Sequence, residues 1–98
     1  MLFQVQIAVR VPHDADMVAI KALSMDEIEL AKALQRAGKW LHIWRVAGKW
    51  ANTSIFKVDD ADELHEILRS LPLFRYMEIE VTALCRHPAS IEEARQAP

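Results

Sequence analysis

Apolar and polar positions change period several times along the chain, and the order of those changes predicts its elements. Over residues 2–11, Phe3, Val5, Ile7, Val9 and Val11 alternate with Gln4, Gln6 and Arg10. That two-residue period is a half-buried strand, and Pro12 ends it. Asp14 or Asp16 can cap a helix start. Residues 17–37 then read as a helix, with Gly38 where a left-handed C-terminal cap is expected. Residues 40–47 and 50–58 read as two strands around a turn at Gly48-Lys49. Asp60 followed by Glu63 resembles a capping box. The short helix behind it carries the stripe Leu64, Ile67, Leu68 and Leu71 and stops at Pro72. Residues 76–84 alternate again, with Met77, Ile79, Val81 and Ala83 set against Tyr76, Glu78, Glu80 and Thr82. Residues from about 87 to 98 read as a polar tail or short helix.

Strand, helix, strand, strand, helix, strand is the ferredoxin-like βαββαβ order of an α+β fold. It implies an antiparallel sheet with both helices on one face. The other face would carry Gln4, Gln6, Trp44, Thr53, Glu78 and Glu80. That set is too mixed for a monomer's core and too apolar in places to stay bare, so contact with another subunit is expected there.

Composition sharpens this picture. A chain of 98 residues makes a single domain, residues 1–98. A domain this small buries only about 60–65% of the surface its unfolded chain exposes. With 52% hydrophobic residues and three Trp, some apolar surface is expected to meet a second copy, as a homo-oligomer. The net charge of −2 comes from interspersed charges without a basic stripe, which argues against nucleic acid. The first ten residues alternate and so do not read as a leader. No apolar run is long enough for a membrane span. One cysteine, Cys85, and four scattered His make neither a disulfide nor a zinc spacing. A soluble, reduced, cytoplasmic protein without a metal is the expectation.

The first helix holds the most informative residue. At about 100° per residue, Ile20, Leu23, Leu30, Ala31 and Leu34 all fall within about 60° of Glu27. Asp26, Glu29, Lys32 and Arg36 fall on the outer faces. Glu27 is thus a carboxylate at the centre of the apolar stripe, aimed at the sheet. Burial raises a carboxyl pKa, and such a group is a good base for abstracting a proton from carbon near neutral pH. The alternative is that Glu27 reaches past the stripe to a buried Arg or to solvent. Across a tight turn at Gly48-Lys49, Leu41, Ile43 and Arg45 share a face with Trp50, Asn52, Ser54 and Phe56. Phe56 and Val58 must point inward, so Arg45, Trp50, Asn52 and Ser54 are placed around Glu27. Each has a structural explanation alone. Together, inside an apolar shell, they look like a site.

Three stretches, MLFQVQIAVRVP, GKWLHIWRVAGKWANTSIFKV and SLPLFRYMEIEVTALCRHPAS, resemble the muconolactone Δ-isomerases, over nearly the whole chain. The resemblance implies a ferredoxin-like subunit in a homo-oligomer, a decamer in the family. It implies conversion of muconolactone to the enol-lactone of 3-oxoadipate, within catechol degradation by the β-ketoadipate pathway. The family's base matches Glu27 and its active-site Asn matches Asn52. Where the family carries Tyr, this chain has Trp50. An indole donates a hydrogen bond but cannot accept one or act as a phenolic acid. The expected mechanism is a single-base 1,3-proton shift on a small-molecule lactone. Arg45 would hold the substrate carboxylate, with Lys21, Lys49 or a neighbour's Arg86 as alternatives. Asn52, with Ser54 or Trp50, would donate to the lactone carbonyl. No cofactor is expected, because the conjugated lactone is its own electron sink. Rival readings are a chloromuconolactone dehalogenase of the same family, a cofactor-free monooxygenase of similar fold, and a non-catalytic assembly module.

Overall fold

A computed structural model describes residues 1–91, so residues 92–98 of the expected tail lie outside the described residues. The elements are β1 (Leu2–Val9), α1 (Met17–Arg36), β2 (Trp40–Arg45), β3 (Ala51–Lys57), α2 (Ala61–Arg69), a 3₁₀ turn (Phe74–Tyr76) and β4 (Met77–Leu84). They form one four-stranded sheet in the order β2-β3-β1-β4, with every neighbouring pair antiparallel. The expected α+β, ferredoxin-like order is the one observed.

Local chemistry accounts for the boundaries. Asp16, not Asp14, caps α1: its side chain accepts from the N–H groups of Val18 and Ala19 at 3.0 and 3.4 Å. At the other end Lys39 N–H reaches Leu34 O, and Gly38 N–H reaches Gln35 O. These paired bonds form a Schellman cap. It requires the positive φ of 76° that Gly38 supplies. Asp60 caps α2 by accepting from Glu63 N–H at 2.8 Å. Glu63 Oε1 reaches back to Asp59 N–H rather than to Asp60, one residue earlier than a capping box would have it.

Both helices cover one face of the sheet. Phe3, Val5 and Ile7 of β1 and Phe56 of β3 form a single buried cluster with Ala31 of α1 and with Leu64 and Leu68 of α2. The cover thins along the edge strand β4: Met77 and Ile79 pack against the core, but Val81, the inward position opposite Val5, remains 48% exposed. The opposite face carries Gln6 and Ala8, beside Thr53 and Ala51 of β3 and Glu80 and Glu78 of β4. His42 and Trp44 stack beside them on β2, with ring centroids 5.0 Å apart.

The β2–β3 register corrects one expectation. Arg45 pairs with Asn52 and Ile43 with Ser54, as the turn predicts. Farther on, the register slips between Trp40 and His42, and Trp40 rather than Leu41 opposes Phe56. The extra residue is a β-bulge, which reverses the alternation locally. Leu41 is therefore exposed. Trp40 is buried at 1% exposure against Phe56, with ring centroids 4.6 Å apart.

Candidate active site

Glu27 lies midway along α1, where the stripe faces the β2–β3 end of the sheet. Ile20 and Ala31 on that stripe are buried, and Glu27 between them is half-buried. Its Oε1 accepts the backbone N–H of Leu73 at 3.0 Å, a contact spanning 46 residues. It forms no ion pair among the described residues. Burial raises the Glu27 carboxyl above its ordinary pKa of 4.5, and the Leu73 N–H partly opposes that rise. With Oε1 held by that bond, Oε2 makes no hydrogen bond among the described residues.

Glu27 opens onto a cavity of about 360 Å³ between α1 and the inner face of β2 and β3. Arg45, Trp50 and Asn52 line the same cavity, with Trp40, Ile28 and Leu73 among its apolar walls. Pairing of Arg45 with Asn52 across β2 and β3 sets those two side by side. Among the described residues the Arg45 guanidinium makes one hydrogen bond, a long one of 3.3 Å to Lys49 O. Among the described residues it has no carboxylate partner, so it is free to receive an anion. Trp50 closes one side and stays 39% exposed.

Ser54, also expected at the site, is placed differently. It is fully buried, does not line the cavity, and donates its Oγ–H to Asn52 Oδ1 at 2.7 Å. Four of the five expected residues thus share one cavity, and the fifth lies behind it. Sequence reasoning missed other members of the wall, Trp40 and Leu73 among them. Trp40 enters the wall only because of the bulge. Leu73 contributes through its backbone, which no side-chain pattern announces.

A half-buried carboxylate and a guanidinium, neither in an ion pair among the described residues, line one largely apolar cavity, which suits proton abstraction from a small anionic substrate. The comparisons bear on which one. Residues 1–90 match the family described as muconolactone delta-isomerase. The chain belongs to the muconolactone delta-isomerase family. It is 50% identical to muconolactone delta-isomerase 1 of Acinetobacter lwoffii, over 95% of this chain and 97% of that one. It is also 50% identical to the Pseudomonas putida muconolactone delta-isomerase, over 93% and 95%. The crystal structure of a muconolactone isomerase superposes with a TM-score of 0.88 at 53% identity, covering 93% of this chain and 95% of that one.

Proposed function

We propose that this chain isomerises muconolactone to the enol-lactone of 3-oxoadipate by a single-base 1,3-proton transfer. The observation that carries the mechanism is Glu27, a carboxylate with a burial-raised pKa and no ion pair among the described residues, open to a cavity that also holds Arg45. Membership of the isomerase family at about half identity supports the substrate.

Glu27 Oε2 takes the proton from the ring carbon that bears the acetate arm. The electron pair of that C–H bond enters the conjugated system, the double bond shifts, and negative charge accumulates on the lactone carbonyl oxygen. Asn52 donates a hydrogen bond to that oxygen, and the Trp50 indole N–H is the second donor. One such preorganised donor is worth about 3–4 kcal/mol in other enzymes. The protonated Glu27 then returns the proton to the carbon next to the carbonyl, leaving the base ready for another cycle. Arg45 binds the acetate carboxylate at the cavity rim. The mixed outer sheet face, with Trp44 57% exposed, is assigned to contact between subunits in a homo-oligomer, a decamer on the resemblance. The single cysteine, Cys85, is free and exposed, which suits a reducing cytoplasmic setting. Among the described residues no helix is long and apolar enough to cross a membrane.

The test is turnover of muconolactone by the purified protein without oxygen, followed by proton NMR. The enol-lactone should accumulate. A strict requirement for oxygen would favour the monooxygenase reading. Turnover of chloromuconolactone with chloride release, and none of muconolactone, would favour the dehalogenase.

A further inference from the structure

Ser54 is the one polar side chain among the described residues to be fully buried, at 0% exposure. It sits at mid-sheet on β3, between Val5 of β1 and Ile43 of β2. Alanine would fill nearly the same space there without a polar atom to satisfy, and a buried hydroxyl without a partner destabilises a fold. Residues two apart on a strand share a face. The Ser54 hydroxyl meets Asn52 in this way, and donates to its Oδ1 at 2.7 Å.

The direction of that bond matters. Were it reversed, with Nδ2 donating to Oγ, the hydroxyl proton would be stranded among apolar groups without an acceptor. The amide oxygen is therefore occupied, and Nδ2 is the free end of Asn52. Among the described residues Nδ2 has no protein partner, while Asn52 lines the cavity beside Glu27.

We propose that Ser54 is a positioning residue that locks the Asn52 amide, so that the cavity meets N–H donors and never the amide oxygen. This rests on the reading of Asn52 as donor to the lactone carbonyl. An amide free to turn over would present Oδ1 to the developing enolate and repel it. A fixed amide has its dipole oriented before charge appears, which is what makes such donors effective. Ser54 then acts wholly through Asn52 and never touches the substrate.

A double-mutant cycle on kcat tests this, using Ser54→Ala, Asn52→Ala and the pair, with each fold checked by circular dichroism. Asn52→Ala should lower kcat about 10²–10³-fold. Ser54→Ala should lower kcat about 3- to 10-fold with KM nearly unchanged. In the Asn52→Ala background the same Ser54→Ala change should cost less than about twofold, since the two residues act as a unit. Equal losses in both backgrounds, or no loss in the wild-type background, would overturn the positioning role. Unchanged kcat in Asn52→Ala would instead overturn the donor role beneath it. If Ser54→Ala does not fold, Ser54→Cys replaces it with a weak donor of similar shape and carries the same expectations.

Discussion

The two helices each place a glutamate against the rest of the fold, and the environments drive the two carboxyls in opposite directions. Glu63, in the first turn of α2, accepts from Lys39 Nζ at 2.7 Å and from Asp59 N–H at 2.7 Å. The Lys39 hydrogen bond, then that backbone bond, hold its pKa below the ordinary range. Glu27, in the middle of α1, has among the described residues one backbone N–H and no cation partner, and burial raises its pKa. On the proposed mechanism, the carboxylate that serves the fold is satisfied and the one that serves chemistry is left partly unsatisfied. The difference has a sign that linkage makes measurable. Glu63, with its lowered folded pKa, stabilises the fold above its unfolded pKa and loses that contribution as pH falls through the folded one. Glu27, with its raised folded pKa, favours the fold below its unfolded pKa and loses that contribution as pH rises through the folded one.

Exchanging each carboxyl for its amide breaks the comparison most sharply. Glu27→Gln should lower kcat by at least about 10²–10⁴-fold, the usual yield of general-base catalysis. Its Tm near pH 7 should be no lower than the wild type's, because an amide is easier to bury than a carboxylate and still accepts from Leu73. A folded Glu27→Gln protein with wild-type kcat would place Glu27 with Glu63 as structural.

Arg45→Ala comes next. Arg45 lies at an exposed rim, so loss of the charge-assisted bonds proposed between it and the substrate should weaken binding by about 1.5–3 kcal/mol. That is roughly a 10- to 150-fold rise in KM, with a smaller change in kcat. Steady-state kinetics with an unchanged KM would move the carboxylate-binding role to Lys49 or Lys21.

Glu63→Gln should have the smallest effect. Its kcat and KM should stay at wild-type values. Its Tm should fall slightly near pH 7, and the difference should shrink in high salt and at acid pH. Reduced kcat in this variant would mean that α2 reaches the chemistry, and the contrast between the helices would be lost.

Much of this contrast is legible in the sequence, because it rests on local rules. Caps and turns follow from Asp14 or Asp16, Gly38 and Asp60, the structure choosing Asp16, and the position of Glu27 in its stripe follows from helical period alone. The Arg45–Asn52 pairing follows from the length of the turn at Gly48. What is hidden depends on tertiary choice. Nothing in the string Trp40-Leu41-His42 announces the bulge that buries Trp40 and exposes Leu41. The Leu73 N–H reaches Glu27 from 46 residues away through a segment whose backbone path sequence cannot trace. Ser54 was visible as a polar residue near the site. Its partner was not, because a strand pattern gives a face but not which neighbour a hydroxyl will choose.

The most direct test of the central claim, that the burial-raised carboxyl of Glu27 carries the proton, is the pH profile of kcat/KM for the wild type and Glu27→Gln. This ratio reports the free enzyme's essential base. Activity should fall on the acid side with a midpoint above 4.5, the ordinary Glu value, in the direction that burial sets. That limb should vanish from the residual activity of Glu27→Gln. A midpoint at or below 4.5, or the same limb surviving in a fully active Glu27→Gln enzyme, would contradict the account.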